Sequence, residues 1–276
     1  MTIHSQERQE RILAAVAEKG HVSVKDLAAE IKVSEATIRR DLKALAEANR
    51  IQLIYGGAAQ ARTSDYSFHA KARRNYEAKK TIGRLAADLV GDEEQVFIDS
   101  GTTCFEMAPL LKRKRGLTII VNSARLVMEL PASPGITILT LGGLYRPHRM
   151  DTVGPLAAAT LEQLRGYTAF IGADGLSMDF GLTASDMESA SLYRLAVRNA
   201  RRTCLLVDHS KFLTPSLFKI VDWEAISRVI TDRPPPPAWA EFLSASNIQC
   251  SYPSDPPAGE APPSAAAPAS GPAQST

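Results

Sequence analysis

Between residues 96 and 252 seven short apolar runs recur, each too brief to be a helix. They are VFI at 96–98, LTIIV at 117–121, ITILTL at 136–141, AFI at 169–171, TCLLV at 203–207, RVIT at 228–231 and IQCSY at 248–252. Segments of helical character separate most of them, such as PLAAATLEQL and SDMESASLYRLAVRNA. Strands alternating with helices leave few arrangements open. The pattern predicts an α/β domain over 85–252, a mainly parallel sheet with helices on both faces.

The residues at the end of each strand carry a second signal. The first six runs lead into DSGTT, NSAR, GGLYR, GADG, DHSK and TD. In open parallel sheets ligands bind outside the carboxyl ends of the strands, so small and polar residues gathered there mark a candidate site. DSGTT is read as running into a helix at about Phe105. Gly101 lets the backbone approach a ligand, Thr102 and Thr103 offer hydroxyls, and the helix start offers N–H groups and a positive dipole end. This is a phosphate cradle without a Walker lysine; a plain capped turn has the same residues. Lys211 stands on another strand end as a point charge for an anion, or as a surface lysine. Neither GxxxxGK[ST] nor GxGxxG occurs, so nucleotide binding is unsupported.

The first 60 residues have a different rhythm. Ile12, Leu13 and Val16 recur at helical spacing over 6–19, with Gly20 as the stop. Ser23 is placed to cap a second helix, with Asp26 three residues on. Ser34 is placed to cap a third, VSEATIRRDLKAL, whose Ile38, Leu42 and Leu45 form one apolar stripe. The opposite side carries Ala36, Arg40 and Lys43, flanked by Thr37 and Arg39. A small, basic helix face suits a DNA major groove, where arginine grips guanine or phosphate. Ile51, Leu53 and Tyr55 then alternate before Gly56-Gly57, a hairpin signal. The whole reads as a winged helix-turn-helix over 1–60, its helix-turn-helix at about 20–39 and extending to 48. A three-helix bundle with a basic face is the alternative.

Composition bounds the rest. Hydrophobic residues make up 45% and charged residues 22%, with a net charge of +2, so no global basic field forces a nucleic-acid reading. No run is long and apolar enough for a bilayer and the N-terminus lacks a signal-peptide core. Three scattered cysteines give neither a disulfide framework nor a zinc ribbon. A cytoplasmic protein without membrane contact is expected. Residues 61–84 read as a basic linker, with seven Lys/Arg against two Asp/Glu over 62–84. Residues 253–276, rich in Pro and Ala, are expected to be disordered.

The run VS-x-x-TIRRDL-x-x-L followed by a Gly-Gly-Ala wing resembles the DeoR family of bacterial transcription regulators. The later motifs DSGTT, NS, LGG, GADG and D-x-SKF occur in that family's order, so the resemblance covers roughly residues 5–250. Two departures stand out. Leu53, Ile54 and Tyr55 occupy the wing where the family carries basic residues and a histidine, and Asn49 replaces the usual glycine after the recognition helix.

The resemblance implies a sensor domain similar in fold to ribose-5-phosphate isomerase that binds a phosphorylated sugar. It also implies a homodimer or homotetramer that represses a carbohydrate operon and leaves its double-stranded DNA operator when the effector binds. No cofactor, metal or enzymatic activity is implied. The DNA-binding candidates are Ser34, Ala36, Thr37, Arg39, Arg40 and Lys43. By motif position the effector candidates are Asp99, Gly101, Thr102, Thr103, Asn122, Gly142, Gly143 and Lys211, with Asp174 and Glu188 matching more loosely. LYRPHRMD, 144–151, follows no family pattern; Arg146, Arg149 and Asp151 set sugar specificity or belong to an exposed loop. An isomerase is the rival function, set aside because its Lys-Gly-Gly-rich catalytic segment is missing. A DNA-binding structural protein with a dead sensor is set aside because DSGTT and DHSK are intact. Asp208-His209-Ser210 are adjacent residues whose side chains diverge, so no catalytic relay is expected.

Overall fold

The computed structural model describes residues 5–19, 21–47, 50–54, 56–60, 68–130 and 135–253. Gly20, Asn49, Tyr55 and the tail from residue 254 lie outside them.

The N-terminal unit comprises α1 (Ser5–Lys19), β1 (His21–Ser23), α2 (Val24–Ile31), α3 (Glu35–Glu47), β2 (Ile51–Ile54) and β3 (Gly57–Gln60). Ile12, Val16, Leu27, Ile31, Ile38, Leu42 and Leu45 form its core, which are the apolar stripes of the three helices. Ser23 Oγ accepts the Asp26 N–H at 3.0 Å and Ser34 Oγ accepts the Thr37 N–H at 3.2 Å, so both caps form. Between α2 and α3, Lys32 adopts φ 60°, a left-handed turn made without glycine.

The wing is a three-stranded antiparallel sheet in the order β1-β3-β2, one strand more than the hairpin read from sequence. A Cβ on Gly57 would stand 2.0 Å from the Val22 carbonyl, so β1 can pair there only with glycine. One feature of α3 escapes an amphipathicity reading. Asp41 is 5% exposed and accepts from Arg8 Nε at 2.5 Å and Nη2 at 3.1 Å, pinning α1 to α3.

The second unit comprises α4 (Phe68–Arg73), α5 (Tyr76–Asp88), β4 (Gln95–Ile98), α6 (Thr102–Phe105), α7 (Ala108–Leu111), β5 (Leu117–Val121), α8 (Ala124–Glu129), β6 (Ile136–Thr140), β7 (Leu144–Arg146), β8 (Asp151–Val153), α9 (Pro155–Glu162), β9 (Thr168–Ile171), β10 (Gly175–Ser177), β11 (Gly181–Ala184), α10 (Met187–Asn199), β12 (Arg202–Leu206), β13 (Phe218–Lys219), β14 (Arg228–Ile230), α11 (Pro237–Ala245) and β15 (Gln249–Ser251). All seven apolar runs enter one parallel sheet, in the order β15-β14-β12-β9-β4-β5-β6. Alternate strand residues face opposite layers. Val96, Ile98, Ile119, Val121 and Leu206 pack with α5, α7 and α8. Phe97, Ile120, Ile171, Leu205 and Val229 pack with α9, α10 and α11.

Two expectations are corrected. Residues 68–84 are not linker: α4 and α5 belong to this unit, with Phe68, Ile82 and Ala86 buried. Residues 144–151 are not an open loop: β7 and β8 form a hairpin, Leu144 opposite Val153 and Arg146 opposite Asp151. A small antiparallel sheet, β10-β11-β13, was also not anticipated.

Replacing Asp41 with alanine leaves the Arg8 guanidinium without its main partner in a site where little water reaches. The free energy of opening α1 and α3 should fall by about 2–4 kcal/mol, read as faster amide exchange in those helices, while the amides of the parallel sheet keep their protection.

Candidate functional site

In the first unit the recognition surface is simple to build. Burial of Ile38, Asp41, Leu42 and Leu45 fixes the rotation of α3, which leaves Ser34, Ala36, Arg39, Arg40 and Lys43 exposed and Thr37 half-buried. The Ser34 and Thr37 hydroxyls lie 2.9 Å apart, joined by a hydrogen bond at the helix start. Arg39 donates to Glu35 one turn back at 2.7 Å, so in this conformation its guanidinium lies along the helix. On the wing Leu53 and Ile54 are 50% and 42% exposed, an apolar surface beside the basic face of α3.

In the second unit the site is set by the order of winding. From β4 the chain builds outward through β5 to β6, then returns to add β9 on the other side of β4 and continues through β12, β14 and β15. The direction of winding reverses between β4 and β9. Loops leaving two such strands diverge and open a crevice at their carboxyl ends. A cavity of about 360 Å³ lies there.

Asp99 sits at its floor, 1% exposed. Its carboxylate accepts the Gly101 N–H at 2.7 Å and the Gly172 N–H at 2.6 Å, tying the loop after β4 to the loop after β9. Burial pushes its carboxyl up from the ordinary value, against those hydrogen bonds. A Cβ on Gly101 would come within 2.8 Å of Asp99 Oδ1, so this closeness requires the glycine. Thr102 and Thr103 line the cavity at the start of α6, which begins at Thr102 rather than at about Phe105.

Asp174, after β9, pairs with Lys71 of α4 and accepts the Ser185 N–H at 2.8 Å and hydroxyl at 2.5 Å. Burial raises its carboxyl, but Lys71 and Ser185 hold it at about 2. After β12, Asp208 accepts from Asn75 Nδ2 at 2.9 Å and from the Ser210 hydroxyl at 2.5 Å. Lys211 lines the same wall. His209 turns away to Asp232, its Nδ1 2.8 Å from Oδ2, so Asp208, His209 and Ser210 form no relay.

The stretch expected to be a linker supplies the rest. Phe68, Lys71, Arg74, Asn75 and Lys79 all line the cavity. Lys79 is 4% exposed; its ammonium donates to the carbonyls of Lys71 and Arg74, where α4 ends. Burial is the main cause that brings its pKa down to about 8. From the hairpin, Arg149 reaches the cavity and pairs with Asp186. Arg146 instead clamps the hairpin, donating to Asp151 from Nε at 2.8 Å and Nη2 at 2.7 Å. Asp151, fully buried, also accepts the Ser100 hydroxyl at 3.0 Å. The cavity wall therefore carries five cations, Lys71, Arg74, Lys79, Arg149 and Lys211, against Asp99, Asp174 and Asp208. Asp186 offsets Arg149, so with all of them ionised the site keeps a positive surplus, among hydroxyls and carboxylates that suit a ligand with both charge and hydroxyl groups.

Of the effector candidates, Asp99, Gly101, Thr102, Thr103, Asp174 and Lys211 come together here. Four do not. Asn122 is buried and donates to the Thr152 carbonyl at 3.1 Å, which fastens β8 to the end of β5. Gly142 and Gly143 lie past β6; Gly143, at φ 131°, lets the chain pass against the Val153 carbonyl and Ala157. Glu188 is 44% exposed on α10, 3.6 Å from Arg146. Lys71, Arg74, Asn75 and Lys79 were missed, although the surplus of basic residues in 62–84 was the signal. Among the described residues no cluster of metal-ligating side chains occurs.

Comparison with known proteins places both halves. Residues 8–64 match the DeoR-like helix-turn-helix domain and residues 74–233 match the DeoR C terminal sensor domain. Full-length relatives include the glycerol-3-phosphate regulon repressor of Escherichia coli, 30% identical over 88% of this chain and 97% of its own. The transcriptional repressor CsqR of the same organism is 29% identical over 90% and 95%. The regulator GolR of Listeria innocua is 30% identical over 82% and 90%. A ribose 5-phosphate isomerase from Methanocaldococcus jannaschii shares 18% identity over 50% of this chain and 55% of its own, with a TM-score of 0.36.

Lys79 makes a checkable contribution to stability. In the unfolded chain it titrates near 10.5 and in the fold at about 8. Between those values the unfolded state holds the extra proton, so stability rises with pH across that window. The difference in unfolding free energy between the native chain and Lys79→Met should therefore grow by about 3 kcal/mol from pH 8 to 10.5, measured by urea titration.

With the recognition helix exposed in one unit, the cavity at the switch point of the other, and both family models matched, the chain belongs to the DeoR family and is a DNA-binding transcriptional repressor.

Proposed function

We propose that the repressor senses a phosphorylated sugar in the cavity of its sensor unit and is released by it from the operator of a carbohydrate-catabolism operon in the cytoplasm. The observation that carries this reading is the surplus of cations lining the cavity at the β4–β9 switch point. A phosphate suits that surplus, and sugar hydroxyls suit the carboxylates and threonines beside it. The similarity to the glycerol-3-phosphate regulon repressor adds support, since that relative's regulon is named for a small phosphorylated polyol. In this reading Lys71, Arg149 and Lys211 hold the phosphate with the Thr102 and Thr103 hydroxyls. Asp174 takes a sugar hydroxyl. Asp99 and Asp208 position the loops.

Lys71 lies on α4, so a phosphate that draws it from Asp174 acts on the segment leading back to the DNA-binding unit. A coupling of ~1–3 kcal/mol between effector and operator is sufficient for regulation. On the DNA side Arg39 and Arg40 grip the operator, one at a base edge and the other at a phosphate, with Ala36 permitting close approach and Ser34, Thr37 and Lys43 nearby. Two half-sites call for a homodimer or homotetramer.

The deciding experiment is anisotropy of the protein on DNA from its own upstream region, repeated with a panel of sugar phosphates and the matching free sugars. Release by one phosphorylated sugar and not by its free sugar is the expected result; operator affinity unmoved by any of them would overturn the sensor reading. Lys211→Met should weaken the effector by about 10- to 100-fold, the worth of one charge-assisted contact, in calorimetric titration, with operator affinity unchanged. Arg39→Ala and Arg40→Ala should each cost about 1–3 kcal/mol of operator binding. Only the base-reading one should relax specificity at a single position; the phosphate contact should lower the salt slope instead. Native affinity in both alanine variants would remove the assignment.

A further inference from the structure

The parallel sheet ends at β6, hydrogen-bonded to β5 on one side only. An open edge normally carries lysine, proline or a bulge that discourages pairing. This edge reads Ile136-Thr-Ile-Leu-Thr140, four of its five residues β-branched and none charged. Beside β6 runs a groove lined by Ile138 and Leu139 and by one face of α9. That face is Leu156, Ala159, Thr160 and Gln163, spaced i, i+3, i+4 and i+7, again without charge. Leu139 is 40% and Leu156 71% exposed. A helix face left to solvent usually carries charges of both signs, and this one carries neither.

We propose that the β6 edge and the α9 groove are the two-fold contact between two copies of this chain, the two β6 strands pairing antiparallel so that the sheet continues across the axis. The chemistry of the edge selects the occupant. Unpaired strand N–H and C=O groups are met most completely by another strand. A face without charge repels neither itself nor a copy of itself, and a two-fold axis presents the same patch from both sides. Among the described residues no cation lines the groove, which makes it unsuited to DNA. Residues 254–276 are a poor partner for this edge by composition. Their sequence is rich in proline, which lacks the N–H a strand partner needs. Pairing at β6 would join two chains independently of the effector cavity, and so bring two recognition helices into one assembly.

Sedimentation velocity of the full chain across micromolar concentrations tests this, with Leu139→Glu and Leu156→Glu made separately. The native chain should form a dimer or a dimer of dimers. Each variant should lose one association step, its dissociation constant raised on the order of 100-fold, since the charge enters a two-fold interface twice. Unchanged thermal unfolding of the dissociated protein would show that the fold is intact. Should either variant fail to fold, Ala159→Glu on the exposed face of α9 takes its place, and cross-linking of Leu139→Cys between chains gives a readout free of charge effects. A native chain that stays monomeric, or variants that associate like it, would overturn the proposal. So would removal of residues 254–276 if it changes the assembly as the glutamate variants do, because the tail would then be the occupant.

Discussion

Asp99 ends β4 and reaches in two directions. One oxygen takes the amide of Gly101 on its own loop, and the other takes the amide of Gly172 on the loop that leaves β9. Neighbouring parallel strands diverge at a switch point, and nothing in the sheet ladder itself fixes how far. A buried carboxylate with two short N–H contacts sets that separation and so the width of the cavity mouth. The threonines of α6 and Asp174 take their positions from the two loops held in this way. Removing the charge from water costs several kcal/mol, and the backbone amides offset it where a side chain partner would have filled the cavity.

The cavity's positive side is built on a second constraint. α4 is six residues long and too short to hold itself. Lys79 reaches from α5 to the carbonyls at its end, Asn75 ties the turn between them to Asp208, and Lys71 meets Asp174. Phe68 is stacked edge-on against Phe105 with the Arg125 guanidinium over its ring. A segment fixed by ion pairs to the groups that line the cavity is placed to respond when an anion enters. The hairpin of β7 and β8 closes the other side, with Arg146 and Asp151 as its clamp and Arg149 as its contribution to the lining. One arginine shapes the wall and the other, three residues away, charges it.

Much of this was legible in the chain. The DNA-binding unit is read from two serine caps, two apolar stripes and a paired glycine, all local signals. The seven strands of the sheet and the polar character of their carboxyl ends were equally plain. Asp41 was not, because an acidic residue in a helix pattern counts as surface until Arg8, 33 residues earlier, is found beside it. Lys71 and Lys79 were read as part of a charged connector because their partners are an aspartate 103 residues away and backbone carbonyls, neither of which leaves a periodic trace. Asn122, Gly142, Gly143 and Glu188 fall in the right motifs and yet stand away from the cavity. A motif fixes position along the chain, and only the order of strands decides which loops meet.

By itself, then, the sequence determined the two units, the elements within them, the exposed basic face of α3 and the resemblance that names the family. These rest on hydrophobic period, capping and turn chemistry, which act within a few residues. Tertiary structure decided which strand ends form a crevice, that Asp99 binds two loops rather than an open site, that a basic stretch belongs to the sensor, and that the sheet ends in an uncharged edge. Each of these depends on contacts between residues distant in sequence, set by the reversal of winding between β4 and β9 and by burial of charges that pair only once the chain has folded.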